Sequence, residues 1–167
     1  MTNDRIYNVL FLCTGNSARS VMAEALLNVL GKGRLRAWSA GSQPSGRVQP
    51  LAAELAANLG YDTAQLRSKS WDEFAGPDAP AMDLIITVCD NAAGEACPFW
   101  PGQPATAHWG VPDPAAVEGD EDVRRRAYVA AFAVLRKRVE LLAALPLASL
   151  DRLAIQREAR EIGKAGA

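Results

Sequence analysis

The chain carries almost no excess charge: 18 Lys and Arg against 19 Asp and Glu leave a formal net charge of -1. No global basic field is present to hold nucleic acid or an anionic membrane surface. Long apolar runs are also missing, and none approaches the ~18 residues of a membrane span. The opening MTNDRIYNVLFLC sets an acid before a short apolar stretch and has no small-residue cleavage site, which argues against a secretion signal. A cytoplasmic setting is therefore expected. Cysteine is scarce. Its three residues, an odd number, suit reactive or buried thiols better than a disulfide scaffold. The one histidine, His108, has no partners at metal-ligand spacing, so it is expected to pack or hydrogen-bond, and no metal site is expected. With the charge neutral, Trp38, Trp71, Trp100 and Trp109 are expected in the core or at its rim, not along a base-stacking stripe.

What is present is the balance of a globular protein: 167 residues, 49% apolar and 22% charged, enough for one domain with a real core. Apolar, β-branched Ile6–Cys13 predicts a buried strand, and amphipathic Ser17–Leu30 predicts the helix after it. Leu35–Ala40 predicts a second strand. GSQPSGRVQP is loop chemistry, and Val48–Leu59 predicts an alanine-rich helix stopped by Gly60. Leu66–Phe74 is ambiguous. Met82–Cys89 is the clearest remaining strand, and Ala105–Trp109 predicts a short one. Val123–Leu142 predicts a long helix with Val123, Ala127, Ala130, Val134 and Leu141 on one face. Its acidic approach, EGDED, suits the helix dipole, and Arg124-Arg125-Arg126 reads as a solvated face. After Pro146, Leu147–Ile162 predicts one more helix.

Strands alternating with helices imply an α/β fold: a central parallel sheet with helices on both faces and an extra C-terminal helix. Ligands in such sheets gather at the carboxyl ends of the strands, where Cys13 and Cys89 both fall. The expected division is a main domain over residues 1–145 and a helical extension over 146–167.

CTGNSARS, residues 13–20, sits at the first strand-to-helix turn and reads Cys-x5-Arg. A loop of this length can curl so that the N–H groups of Thr14, Gly15, Asn16, Ser17, Ala18 and Arg19 converge on one anion, helped by the helix N-terminus. Gly15 and Asn16 tolerate the backbone angles such a curl needs. Arg19 adds a planar fork matched to a tetrahedral oxyanion. This positive setting favours the thiolate of Cys13, a nucleophile, and Ser20 could donate a hydrogen bond to it. The plain alternative is a core cysteine followed by a helix capped by Ser17. The flanking strand and helix, with Gly-Asn-Ser between, favour the anion site.

With these residues the chain resembles the low-molecular-weight tyrosine phosphatase superfamily, whose phosphate loop is Cys-x5-Arg-Ser near the N-terminus. The resemblance runs from Ile6 to Leu145 and includes WSAGS at 38–42 and Asp113-Pro114; the helix after Pro146 lies outside it. It implies the phosphatase-like fold, with a four-stranded sheet, and makes Asp113 the general acid that protonates a leaving oxygen. Tyrosine phosphatases typically follow Asp-Pro with an aromatic residue that frames a phenyl ring. Here Ala115 follows.

Cys89 and Cys97 lie eight positions apart. Along a straight helix that is ~12 Å, beyond the ~7 Å limit between the α-carbons of a disulfide, so a bond between them requires the segment to unwind. The plain alternative is burial alone, with Cys89 at a strand end and Cys97 beside Pro98. The pattern resembles the arsenate reductases built on the phosphatase fold, though with an interval one residue longer than in thioredoxin-coupled members. That resemblance implies a relay through Cys13, Cys89 and Cys97 that reduces arsenate to arsenite, with phosphate as a competing oxyanion. It implies no tightly bound cofactor and an external thiol reductant, thioredoxin or glutathione/glutaredoxin. The alternatives are a low-molecular-weight protein tyrosine phosphatase and an oxyanion-binding or redox-sensing regulator without turnover.

Overall fold

A computed structural model describes residues 5–89 and 103–164; Cys97 and Trp100 lie outside the described residues. Four strands, β1 (Tyr7–Cys13), β2 (Leu35–Gly41), β3 (Leu84–Thr87) and β4 (Ala105–His108), form one sheet. Its order is β2-β1-β3-β4, and every pairing is parallel. Four α-helices accompany it: α1 (Arg19–Leu30), α2 (Pro50–Leu59), α3 (Glu121–Ala143) and α4 (Arg152–Ile162). No helix among the described residues is long and apolar enough to cross a membrane.

The alternation along β1 assigns its two faces. Val9, Phe11 and Cys13 join Met22, Leu26, Leu135 and Leu142 in the larger core, where the helices pack. Leu10 and Leu12 face the other way, onto Trp71, Phe74 and Met82. The ambiguous stretch supplies that cover as a 3-10 turn, Trp71–Phe74, capped by Ser70. Because β1 has β2 on one side and β3 on the other, the chain leaves it in opposite directions along the sheet. The carboxyl ends of β1 and β3 meet at this reversal, the usual ligand position in such sheets.

Three local expectations change. The first helix starts at Arg19, not Ser17, with Ala18 before it and no side-chain cap; residues 14–18 are held in the loop instead. Tyr128, Ala131, Leu135, Arg138, Val139 and Leu142 form the buried stripe of α3, whereas Val123 and Leu141 are exposed. The expected face was displaced because its alanines and valines looked apolar while the true stripe contains an arginine. The last predicted helix is two elements, a 3-10 turn Leu147–Ser149 and then α4, because Asp151 caps α4 by accepting from Ala154 N–H.

β4 is an edge strand, and α4 supplies partners that a fifth strand would otherwise provide. Gln156 Oε1 accepts from Thr106 N–H at 3.1 Å, and Arg160 Nε donates to Thr106 O at 3.0 Å. Covered edges resist pairing with other chains. The fit is closest at Gly163, where an added Cβ would lie 2.3 Å from His108 O and 2.8 Å from Trp109 Cδ1. Gly163→Ala should gain up to about 1 kcal/mol of helix propensity but lose about 1–3 kcal/mol to overpacking. Net destabilisation is therefore expected, checked by the urea midpoint at constant m-value.

Candidate functional site

A strand that must end in an anion cradle needs its peptide carbonyls turned away from the anion. Since a trans peptide points its N–H opposite to its C=O, binding the carbonyls from outside aims the amides inward. The loop after β1 meets this requirement through residues 43–49. Gln43 N–H donates to Thr14 O at 2.9 Å, Ser45 N–H to Gly15 O at 3.0 Å, and Gln49 N–H to Ser17 O at 2.8 Å. Ser68 Oγ adds a second donor to Gly15 O. The amides of Gly15, Asn16 and Ala18 therefore point to the concave side, where the first turn of α1 also opens. Gly41 makes the close approach possible, for a Cβ there would sit 2.4 Å from Thr14 O and 2.8 Å from Cys13 O.

Cys13 ends β1 and is 3% exposed. Its Sγ lies 2.9 Å from Ser20 Oγ, which in turn accepts from Asn16 Nδ2 at 2.8 Å. Asn16 occupies the left-handed region at φ 46, and its Oδ1 accepts from the backbone N–H of Lys69 at 2.9 Å. With its oxygen engaged by Asn16, the Ser20 hydroxyl hydrogen is available to the sulfur. Ser20 can thus donate to the sulfur, and Asn16 holds both Ser20 and the loop.

Arg19 Nη1 donates to Val111 O at 2.9 Å, and Nη2 lies 3.6 Å from Asp113 Oδ2. Asp113 Oδ1 accepts from Ala115 N–H at 2.9 Å, capping the 3-10 turn Pro114–Ala116. One carboxylate oxygen fixes the local turn while the other faces the site. Cys89, also 3% exposed, follows β3, and its Sγ is 3.6 Å from Thr14 Oγ1. Cys13, Arg19, Ser20, Thr14, Asp113 and Cys89 are brought together at one edge of the sheet. His108 Nδ1 is 2.7 Å from Thr87 Oγ1, so it hydrogen-bonds as expected. Among the described residues no group of His, Cys, Asp or Glu could hold a metal ion.

Behind the loop lies a buried polar cluster that sequence reasoning missed. Glu24, on α1, accepts from Ser39 Oγ at 2.7 Å and from Tyr61 OH at 2.9 Å; Lys69 Nζ is 3.9 Å away. The available signal was an acid inside the apolar run VMAEALL. Burial raises the Glu24 pKa above its ordinary 4.5, against the Ser39 hydrogen bond and the Lys69 charge. Burial likewise lowers that of Lys69, against the Glu24 charge.

Two outcomes follow from these contacts. Ser20→Ala should slow iodoacetamide alkylation of Cys13 roughly tenfold, the value of one hydrogen bond to a charged group; an unchanged rate would remove Ser20 from the role given to it. For Glu24, the folded protein keeps its proton at pH values where the unfolded chain has lost it. Its contribution to stability is therefore greatest in acid and falls as pH rises from 4.5 through the folded value. Thermal melts should show wild type losing ground to Glu24→Gln over that range, and a constant gap would refute the assignment.

The chain matches the family described as low molecular weight phosphotyrosine protein phosphatase over residues 8–156. The arsenate reductase of Bacillus subtilis (strain 168) is 36% identical over 122 residues, which span 73% of this chain and 82% of that protein. The crystal structure of arsenate reductase from Archaeoglobus fulgidus DSM 4304 superposes with a TM-score of 0.62 at 34% identity, over 82% of this chain and 99% of that one. An arsenate reductase in oxidized state superposes at 0.66 and 27% identity, over 83% and 98%. The match spans most of the chain, including the loop that follows β1, and the chain belongs to the low molecular weight phosphotyrosine protein phosphatase family.

Proposed function

We propose that this protein is an arsenate reductase that converts arsenate to arsenite by a thiol relay through Cys13, Cys89 and Cys97. The observation that carries the reading is the 3.6 Å approach of Cys89 Sγ to Thr14 Oγ1, a second thiol beside the loop that holds the first. Hydrolysis of a phosphate ester needs one cysteine; reduction needs a thiol to displace arsenite. The names of the relatives support the same choice.

In this mechanism arsenate enters the loop 14–19, held by backbone amides and the Arg19 fork. The Cys13 thiolate attacks arsenic; an As–O bond breaks, and Asp113 gives the departing oxygen its proton. The Cys89 thiolate then attacks Cys13 Sγ. The S–As bond breaks, its electron pair stays on arsenic, and arsenite leaves as a Cys13–Cys89 disulfide forms. Cys97 attacks Cys89, releasing the Cys13 thiolate and moving the disulfide to the 89–97 pair. An external thiol reductant, thioredoxin or two glutathiones with glutaredoxin, resets that pair by exchange in the cytoplasm and leaves as the new disulfide. Phosphate competes for the loop because it has the same shape and charge.

A phosphatase activity has one observation in its favour: the loop, Arg19 and Asp113 would serve a phosphate ester equally well. Ala115, in place of an aromatic, leaves no ring to frame an aryl group.

Cys13→Ser is expected to abolish arsenite production, and Asp113→Asn to slow it by about 10²–10⁴-fold. Cys97→Ser should release one arsenite per chain and stop as the Cys13–Cys89 disulfide, identified by peptide mass. Arsenite assays run with thioredoxin, glutathione–glutaredoxin and mycothiol in parallel name the reductant. Sustained turnover by Cys89→Ser with thioredoxin would refute the relay.

A further inference from the structure

The span Gly110–Asp113 carries much of what orients the candidate site. Val111 N–H donates to Val88 O at 3.2 Å, one residue before Cys89. Val111 O accepts from Arg19 Nη1 at 2.9 Å, and Asp113 Oδ2 stands 3.6 Å from Arg19 Nη2. On one side this span borders an apolar groove of about 450 Å³ whose far wall includes Ala127, Ala130 and Val134 of α3. Small side chains there do not prop the span from that side. Hydrogen bonds help to fix the direction of its peptide groups.

Arg138 supplies one of them. It lies on the buried stripe of α3, is 1% exposed, and donates from Nη1 to Gly110 O at 3.0 Å. The groove meets this guanidinium at the same place as Val111 and Asp113. A leucine or methionine in that stripe would fill the space without the cost of desolvating a cation. An arginine is warranted by a donor's work, and the carbonyl it meets is one peptide group before the one that meets Arg19.

We propose that Arg138 is a positioning residue for Arg19: by fixing the Gly110 carbonyl, it sets the next peptide group so that Val111 O holds the Arg19 fork toward the anion and Asp113 stays opposite. The effect on the anion passes through Arg19, whose guanidinium the same span holds through Val111 O.

The inference rests on the oxyanion reading of the loop, and its test uses inorganic phosphate with the full-length reduced protein. Phosphate affinity is measured by calorimetry for wild type, Arg138→Met, Arg19→Lys and the double variant. Lysine keeps the charge but lacks the fork that engages carbonyl and anion together. Arg138→Met is expected to weaken phosphate roughly tenfold, a typical consequence of a misplaced binding group. In the Arg19→Lys background the same change should cost less than about twofold, because coupled sites are non-additive. Arg138→Lys, which keeps a donor for Gly110, should recover about half of the lost binding free energy. Full additivity, or Arg138→Met with lowered Tm and unchanged phosphate affinity, would overturn the proposal and leave Arg138 a core residue. Should Arg138→Met fail to fold, Arg138→Lys carries the cycle, with an expected loss of roughly threefold; full additivity there overturns the proposal in the same way. Absence of phosphate binding by wild type would instead overturn the reading of the loop itself, and this inference with it.

Discussion

Loop amides can converge on an anion only if the carbonyls of the same peptides find partners elsewhere, and that constraint organises this molecule. Thr14, Gly15 and Ser17 give their carbonyls to Gln43, Ser45, Ser68 and Gln49. All four donors come from segments beyond the carboxyl end of β2, the strand paired with β1. The WSAGS stretch therefore contributes to the site without facing the anion. Its Gly41 lets the two chain segments touch, and the loop after it saturates the outer side of the cradle. A buried peptide group left without a partner would cost about 1–3 kcal/mol. The curled loop and its brace are one cooperative unit.

The same logic extends inward from the loop. Asn16 needs a left-handed backbone, which for a residue with a side chain must be supported by its surroundings. Its amide provides that support at both ends, donating to Ser20 and accepting from Lys69 N–H. Lys69 is itself buried beside Glu24, in a cluster closed by Ser39 and Tyr61. Burial disfavours the charged form of both members, and their pKa values move toward one another accordingly. A buried pair of this kind is weak evidence for stability. Its backbone links to Asn16 and Gly41 give it a local purpose, since Gly41 N–H donates to Lys69 O at 2.9 Å.

Legibility in the sequence followed the range of each interaction. Cys13 and Arg19 were legible because their geometry is local: a strand, a six-residue step and a helix. Cys89 was legible because an apolar strand ends there, and parallel strands share one carboxyl edge. The alternation of strands and helices pointed to the parallel sheet. Other features depend on partners far along the chain. Val111 holds Arg19 across 92 positions, and Ser68 braces Gly15 across 53. The start of α1 was misplaced because Ser17 has the composition of a cap while its carbonyl is held by Gln49. The buried face of α3 was misjudged because a hydrophobic pattern discounts Arg138, which sits at its centre. Glu24 was passed over for the same reason.

Topology also brings the thiols together. In an all-parallel sheet the carboxyl ends of neighbouring strands lie on one edge, so residues distant in sequence meet without any dedicated linkage. Cys13 closes β1, Cys89 follows β3, and the two strands are direct neighbours. An acid reaches the same edge from beyond β4, the next strand, through Asp113. Hydrolysis would use the first and last of these and leave the thiol between them idle. That thiol stands beside Thr14, the first residue of the cradle that follows Cys13. The sheet order thus brings Cys13, Cys89 and Asp113 to three consecutive positions across one edge. The relay proposed here therefore draws its second thiol from beyond the end of β3 without any change to the sheet.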